Sequence, residues 1–429
     1  MIEMELHMYI AIIIFIVTYA FLIAEKIHRT LIALSGAILM VLFGVFKDPR
    51  TIFSEHVDFN TIFLLLGMMT FVVVIKKCGL FEYFGMKALS MSKGNLIKLY
   101  MYLVSFTAIT SAILDNVTTI LVIVPITLAV ADTAKIDPIP FVLGEIFSSN
   151  IGGAATLIGD PPNIMIGSAA SLSFMQFVIN IGPAALVIFF AINGLLLILF
   201  RKSLSKRIDL NQITFDRNPI ESPRRFKISI ILLLVTVTLF VFQEYFYLSS
   251  SFIALTMATV SLLVLFPKGV EENLSEVEWA SILFFVGLFI MVGGIEETGV
   301  LESIADFMLS ISKGSMQTAK LLFLNISGVA SAFVDNIPYT ATLIPVVESM
   351  KKLNPDIFGN LKPIWWSLSL GACLGGNGTA VGASANVIGL AVLKKYYHKQ
   401  ISFLKFMGYG LFVLAVSLFI SSIYVTIAF

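Results

Sequence analysis

The stretch SAILDNVTTILVIVP at residues 111–125 places an Asp-Asn pair inside an apolar run, and SAFVDNIPYTATLIP at 331–345 repeats the arrangement 220 residues later. The same displacement brings SKG at 92–94 over SKG at 312–314 without a gap. Self-similarity at a fixed displacement is the mark of an internal repeat. The chain is therefore expected to contain two copies of one unit.

A second motif follows the first in each copy. With three residues inserted, GGAATLIGDPPN at 152–163 lies over GGNGTAVGASAN at 375–386. Paired glycines and prolines interrupt a helix and leave free backbone N–H and C=O groups at the interruption. The duplication predicts two repeats, 1–215 and 216–429, each with an Asp-Asn region followed by a broken helix.

Composition decides the environment of the chain. The 429 residues are 58% hydrophobic and 13% charged, with a mean hydropathy of +0.95, which is too apolar for a soluble globule. A spanning helix needs about 20 mostly apolar residues, and we predict spans at 8–24, 29–46, 61–76, 141–172, 176–200, 226–244, 251–267, 279–293, 362–393 and 403–428. Cys78 and Cys373 are too few for a disulfide framework or a structural metal site, and no cofactor or nucleic-acid partner is expected.

The basic residues predict the orientation in the membrane. When the loops between predicted spans are assigned to alternate sides, 21 of the 28 Lys and Arg fall on one side. Cytoplasmic loops carry the excess of Lys and Arg, so this side is cytoplasmic and both termini lie outside. We thus predict a multi-pass protein of the cell membrane, with the basic segment 201–227 as a cytoplasmic connector.

Each repeat is predicted to contain three spans, an amphipathic segment, a re-entrant hairpin, a broken helix and a last span. The hairpins are 96–132 and 316–348, and the broken helices are 141–172 and 362–393. If each hairpin enters and leaves on one face, each repeat makes an odd number of crossings and the second repeat is inverted. Inverted repeats with broken helices are typical of secondary transporters, which bind solute near the midplane. The expected fold class is an all-α integral membrane protein of two inverted-topology repeats.

The carboxylates at the hairpin tips require a physical explanation, because placing a carboxylate at the centre of a membrane costs at least ~2.5 kcal/mol of free energy. Asp115 and Asp335 either cap a helix or take part in transport. Backbone without helical hydrogen bonds is tolerated at that depth only where it lines a cavity or is buried in protein. Each tip should therefore contact the break of its own repeat, near 150–156 in the first and 375–379 in the second. The glycines of the breaks either line the site or only permit close packing.

These four linked motifs resemble the signatures of the ion transporter superfamily, and within it the branch that holds arsenite permeases, NhaD-type sodium/proton antiporters and the melanosomal P-protein. The resemblance covers essentially the whole chain. It implies an elevator-like motion of hairpins and broken helices past a scaffold, in a homodimer, with sodium or protons as coupling ions. The related citrate and dicarboxylate branch carries Ser-Asn-Thr at each tip, whereas this sequence has Asp-Asn-Val-Thr and Asp-Asn-Ile-Pro.

The resemblance also implies which residues bind the solute or ion. In the first repeat these are Asp115, Asn116, Thr118, Asn150, Gly152, Gly153, Thr156 and Asn163. In the second repeat they are Asp335, Asn336, Asn377, Thr379, Ser384 and Asn386. Proton coupling is assigned mainly to Asp115 and Asp335, with Asp160 and Glu145 as secondary groups.

The two secondary carboxyl groups have plainer alternatives. Asp160 has no acidic counterpart, since Ala383 takes its place, so the two half-sites differ in charge. Beside Pro161, Asp160 could instead cap a helix. Glu145, five residues before Asn150, carries a proton or is a buried carboxyl satisfied by a partner.

No Lys or Arg lies within the hairpin tips or broken-helix loops, which favours a small cation or a neutral hydroxide such as arsenite over a multiply charged anion. The expected function is secondary transport, either arsenite or antimonite efflux or sodium/proton exchange, and no enzyme activity. A citrate or dicarboxylate symporter with a coupled cation is one alternative. An intramembrane aspartyl protease is the rival from another class, because two carboxyls can share a proton; the repeat symmetry counts against it. A passive channel is disfavoured because paired tips and breaks suit an occluded site.

The charge bias provides a first test. Lys76 and Lys77 of the first repeat correspond to Glu296 and Glu297 of the second, so inversion places the two pairs on opposite faces. The variants Lys77→Cys and Glu297→Cys should react with a membrane-impermeant thiol reagent from opposite sides of sealed vesicles, the first from the cytoplasmic side. Labelling of both from one side would contradict the inverted topology.

Overall fold

The computed structural model describes residues 2–24, 26–205, 207, 220–397 and 401–429. The regular elements in these residues are helices, in chain order α1 (Ile2–Ala24), α2 (Arg29–Leu42), α3 (Ile52–His56), α4 (Phe59–Lys76), α5 (Leu80–Ser92), α6 (Leu96–Ile113), α7 (Asn116–Thr133), α8 (Ile139–Ala154), α9 (Pro161–Ala169), α10 (Phe174–Asn180), α11 (Gly182–Leu199), α12 (Arg201–Leu204), α13 (Pro223–Val241), α14 (Gln243–Phe246), α15 (Ser250–Leu265), α16 (Val270–Ser275), α17 (Trp279–Glu296), α18 (Val300–Ser312), α19 (Met316–Ser331), α20 (Asn336–Leu353), α21 (Pro355–Phe358), α22 (Lys362–Gly375), α23 (Ser384–Tyr397) and α24 (Phe403–Ala428).

Six of the described helices are long and apolar enough to cross a bilayer alone, namely α1, α4, α6, α11, α17 and α24. The outer surface of the molecule carries large apolar side chains, such as Leu42 and Ile198, each 74% exposed. Such a surface is stable in lipid and not in water. The predicted all-helical, multi-pass membrane architecture is confirmed.

Both predicted hairpins are helix pairs that turn at the Asp-Asn motifs. The first consists of α6 and α7 and turns at Leu114 and Asp115; the second consists of α19 and α20. The second hairpin ends later than the predicted residue 348, because α20 continues to Leu353. Asn354 then ends α20 and caps the short helix α21, with its Oδ1 accepting from the backbone N–H of Ile357 at 3.3 Å.

Both predicted broken helices are also present. The first is interrupted between α8 and α9, and the second between α22 and α23. Pro161 and Pro162 occupy the first two positions of α9, where the first N–H groups of a helix have no intrahelical acceptor. Residues 157–160 of the first break are buried, so its free backbone groups need partners inside the protein.

The predicted last span of the first repeat, 176–200, begins too early. Residues 174–180 form the separate helix α10, which is bent by 112° from α9, and α11 begins only at Gly182. Ser173 caps α10, since its Oγ accepts from the N–H of Gln176 at 3.3 Å, and Pro183 stands in the first turn of α11. A hydropathy pattern contains no signal for helix caps, so the prediction joined α10 and α11 into one span. It also passed over the short helices α3, α14, α16 and α21.

The first spans of the two repeats pack crosswise. α2 lies against α17, and α4 lies against α15, so each pair joins one helix from each repeat. We call these four helices the scaffold, and we call the two hairpins with the two broken helices the core. Of the predicted connector, residue 206 and residues 208–219 lie outside the described residues, and the division of the chain at 215 stays a prediction.

Two glycines related by the repeat allow these crossings. A Cβ at Gly67 would lie 2.6 Å from the carbonyl carbon of Ala254, and one at Gly287 would lie 2.8 Å from that of Ala33. Ala33 and Ala254 are themselves equivalent when IAL at 32–34 is laid over IAL at 253–255, a displacement of 221 that also places Arg29 over Ser250. The crossings are therefore made by backbone on backbone, as small residues permit in membranes.

Substitution at one crossing tests this packing. Gly67→Ala should lower the unfolding free energy by about 1–3 kcal/mol, because its Cβ meets backbone that cannot rotate away. Gly194→Ala is the matched control: Gly194 is also inside a helix, α11, but a Cβ there meets nothing within 4 Å. Thermal unfolding in detergent should show a lower Tm for the first variant and an equal or slightly higher Tm for the second.

Candidate functional site in the core

The free backbone groups of each break are bonded by one asparagine. The Nδ2 of Asn163 donates to the carbonyl oxygens of Gly153 at 3.3 Å, Ala154 at 3.1 Å and Thr156 at 2.9 Å. The Nδ2 of Asn386 donates to those of Gly376 at 2.6 Å and Thr379 at 2.8 Å. An unmet buried carbonyl costs about 1–3 kcal/mol. These amides therefore stabilise the breaks in both repeats.

A threonine joins each break to its hairpin. The Thr156 Oγ1 donates to the carbonyl oxygen of Ala112, and the Thr379 Oγ1 donates to that of Ala332, both at 2.5 Å. The prediction that each tip contacts the break of its own repeat is thus met by the geometry. The four contacting residues are pairwise equivalent under the repeat.

A chain of side-chain amides crosses the centre of the core. Asn116 Nδ2 donates to Asn150 Oδ1 at 3.2 Å, and Asn150 Nδ2 donates to the Oδ1 atoms of Asn377 at 2.9 Å and Asn386 at 2.8 Å. The chain begins at the first hairpin tip and ends in the second break. The Nδ2 of Asn377 is buried and has no partner among the described residues, so it can donate to a bound group.

The second tip reaches into the first repeat. Asn336 Nδ2 donates to both carboxylate oxygens of Asp160 at 3.2 Å, and Asp160 is fully buried. Although Asp160 precedes α9 at the capping position, its side chain makes no capping hydrogen bond. The helix-capping alternative for Asp160 is therefore wrong, and its carboxyl group faces the centre of the core instead.

Asp115 and Asp335 do cap helices. The carboxylate of Asp115 accepts from the N–H of Thr118 at 2.7 Å and from its Oγ1 at 2.6 Å. The carboxylate of Asp335 accepts from the N–H of Ile337 at 3.0 Å and from the Ser384 Oγ at 3.0 Å. Both aspartates are only partly buried. Capping thus positions each carboxyl at a tip without enclosing it.

Sequence reasoning missed Arg29. This first residue of α2 lies 3.7 Å from Asp335, measured from Nη1 to Oδ2, and it also hydrogen-bonds to Ser384. The expectation that no cationic side chain serves the tips is wrong for the second repeat. Arg29 is the first residue of the predicted span 29–46, and no sequence pattern relates that position to a tip 306 residues away.

Carboxyl groups outnumber cationic groups at this centre. Electrostatic interaction couples Asp160 to both Asp115 and Asp335, and couples Glu278, which precedes α17, to Asp115 and Arg29. The cluster, in the described part of the chain, therefore holds four carboxyl groups and one guanidinium group. Among the described residues, Asp115 forms no ion pair. A cation placed there finds more carboxyl groups than cationic groups around it.

Two of the predicted site features lie apart from this cluster. Glu145 is fully buried in α8 and accepts a hydrogen bond from Thr127 of α7, while its Oε2 has no partner among the described residues. Gly152 and Gly153 are buried against backbone of the first hairpin and of the break itself, which supports the close-packing alternative for both glycines.

A cavity of about 330 Å³ separates core from scaffold beside the last turns of α17. Its walls carry four carboxyl groups and one imidazole, from Glu55, Asp58, Glu296, Glu348 and His56. Beside it Lys47 pairs with Glu297 at 2.9 Å, and this hydrogen bond raises the pKa of the Lys47 ammonium. An acidic wall raises the local concentration of cations.

Comparison with known proteins identifies the family. A family model described as CitMHS, citrate transporter, matches residues 19–371. The chain belongs to this family. It is 38% identical over 421 residues to a 46 kDa membrane protein of Mycobacterium leprae and 40% identical over 425 residues to an uncharacterised transporter of Mycobacterium tuberculosis, with 97% of each chain covered in both cases.

The chain is also 30% identical to the P protein of Sus scrofa over 508 residues, which cover 99% of this chain and 60% of that protein. Among solved structures, the YdaH transporter of Alcanivorax borkumensis matches with a TM-score of 0.61 at 15% identity, over 99% of this chain and 97% of that one. The chain is therefore a membrane transporter of the CitMHS type with a YdaH-like fold, and the suspected membership of the ion transporter superfamily is confirmed.

The asparagine that bonds the second break can be tested by truncation. Asn386→Ala should lower the unfolding free energy by about 2 kcal/mol or more, because the carbonyl groups of Gly376 and Thr379 lose their donor. Asn325→Ala is the control, since Asn325 is exposed, so that water can replace its bonds to the Leu321 carbonyl of its own helix and to the Ser422 Oγ of α24. Equal thermal stability of the two variants in detergent would contradict the role of Asn386.

Proposed function

We propose that the protein exchanges a small cation, with sodium as the first candidate, for protons across the cell membrane. The observation that carries the proposal is the charge of the central cluster, in which four carboxyl groups face one guanidinium. The partly buried Asp115, which has no ion pair among the described residues, is the group at which we expect the cation to bind. The oxygens of Thr118 and the amide groups of Asn116 and Asn150 are candidates to complete its coordination.

Exchange follows from competition for one carboxylate. A cation next to a carboxylate favours its ionised form, and a proton on the same group removes the attraction for the cation. Alternate loading of Asp115 with a proton and a cation is sufficient for antiport. Asp335, Asp160 and Glu145 are further proton carriers in this proposal. Movement of the core past the scaffold, in a homodimer with both termini outside, would carry the site between the two faces.

Citrate transport with a coupled cation is the second candidate. The matching family model is described as a citrate transporter, and Arg29 supplies one cationic group close to a tip. The excess of carboxyl groups over cationic groups in the cluster disfavours a citrate anion unless cations bind with it. Arsenite, a neutral hydroxide, needs no cationic group, and its efflux would use Asp115 only as a proton carrier.

The protease alternative has less support. Asp115 is bonded to Thr118, and Asp335 is bonded to Ile337, Ser384 and Arg29. No hydrogen bond joins the two aspartates within the described residues, so they do not form the carboxyl dyad that such an enzyme needs. The similarity to proteins named as transporters points the same way.

Removal of one titrating group tests the exchange. Asp115→Asn keeps size and polarity but cannot bind a proton or attract a cation, so it should abolish sodium flux driven by a pH gradient in liposomes. Asp356→Asn, which changes an exposed aspartate of α21, should transport like the wild type. Parallel measurements with arsenite and with citrate identify the solute. Full pH-driven flux in both Asp115→Asn and Asp335→Asn would overturn the assignment.

A further inference from the structure

Arg29 connects the scaffold to the core. On the scaffold side its Nη2 donates to the Ser281 Oγ at 3.2 Å, and its guanidinium carbon lies 5.2 Å from the ring centroid of Phe284. On the core side it contacts Ser384 and pairs with Asp335. The Arg29 and Asp335 side chains are 30% and 24% exposed, so the pair is largely shielded and stronger than a surface ion pair.

The first repeat has no such residue. The position equivalent to Arg29 is Ser250, the first residue of α15, and its Oγ bonds to Gln243. Asp115, the equivalent of Asp335, has no ion pair within the described residues. The two equivalent tips therefore differ in charge, because within the described residues a scaffold cation pairs with Asp335 and none pairs with Asp115.

The contacts between core and scaffold are also unlike in the two repeats. At the start of α4, Asn60 Nδ2 donates to the Ser168 Oγ in the last turn of α9 at 3.1 Å. Beside the start of α17, Arg29 of α2 bonds instead to Ser384, the first residue of α23. The repeat places Ser168 opposite Ala391, seven residues beyond Ser384, or about 10 Å along a helix.

In a carrier built from inverted repeats, the two end states can be related by exchanging the arrangements of the two repeats. The other end state of this protein is therefore obtained by exchanging these two sets of contacts. In that state Arg29 and the start of α17 face the middle of α23 near Ala391. Ser384 and Asp335 then lie about 10 Å from their present position, beyond the reach of the guanidinium group. The Arg29–Asp335 pair can therefore form in only one of the two positions of the core.

We propose that Arg29 is a functional residue of the transport site, a scaffold cation that occupies the Asp335 half-site in this position of the core and is withdrawn when the core moves. The proposal rests on the proposed function in requiring a moving core, but not on the identity of the solute. Arg29 makes the sites unequal: here a transported cation finds Asp115 free and Asp335 taken. Its other charged neighbour, Glu278, stays with the scaffold and keeps the arginine compensated after withdrawal.

The position of the core can be measured by cross-linking. The double variant Asn60→Cys with Ser168→Cys places two cysteines at positions that are in contact only in the present position of the core. Oxidation with copper phenanthroline, in liposomes without solute, then reports the population of this position. Cys78 and Cys373 are buried, and each single-cysteine variant measures their background. Adding Arg29→Gln should lower the initial cross-linking rate roughly fivefold or more, whereas Arg29→Lys should retain part of it.

Arg50→Gln is the matched control, because Arg50 is highly exposed and its ion-pair partner among the described residues is Asp48, which lies outside the helices. It should cross-link like the parent. Asp335→Asn removes the other partner and should reproduce the loss, which keeps the test decisive if Arg29→Gln does not fold. Parental rates in both Arg29→Gln and Asp335→Asn would overturn the proposal. Failure of the proposed function is separate, since it would appear as absent sodium flux in the parent whatever the cross-linking result.

Discussion

The structure of the core depends on one constraint: a helix that breaks inside a membrane exposes backbone carbonyl groups where no water can bond them. Asn163 and Asn386 meet this need in the two repeats, each with its amide nitrogen directed at carbonyl oxygens of its own break. Their Oδ1 atoms then accept from the opposite repeat, from Ser369 at 2.6 Å and from Asn150 at 2.8 Å respectively. The groups that stabilise each break therefore also join the two halves.

The site has its polar character for the same reason. Once amides and hydroxyls occupy the centre to satisfy the breaks, carboxyl groups can be held there by hydrogen bonds that would be missing in plain lipid. Asp160 is stabilised in this way by Asn336, and Asp115 by Thr118. A transporter can then keep an ionisable group at depth, ready to bind a proton or a cation, without a permanent counter-ion beside each one.

Duplication supplied the framework, and divergence at a few positions supplied the chemistry. The threonine and the asparagine that bond each break, Thr156 with Asn163 and Thr379 with Asn386, occupy equivalent positions, because both halves must close the same kind of break. Asp160 against Ala383 and Arg29 against Ser250 are different, and both differences concern charge. In a carrier with two equal half-sites, the two positions of the core would have equal free energies. Unequal charges instead give each position its own set of favourable contacts.

The sequence by itself determined the membrane environment, the repeat, the two hairpins and the two broken helices, because hydropathy, glycine and proline act locally along the chain. It also predicted that Asp115 and Asn150 belong near each other, since each tip must shelter a break. The sequence did not predict the helix ends that are set by capping side chains, as at Ser173, because a single hydroxyl group determines where such a helix begins. Only the tertiary structure decided that Asn336 bonds Asp160 of the other repeat and that Arg29 pairs with Asp335. Both contacts join residues far apart in the chain, and the Arg29–Asp335 pair depends in addition on the position of the core relative to the scaffold.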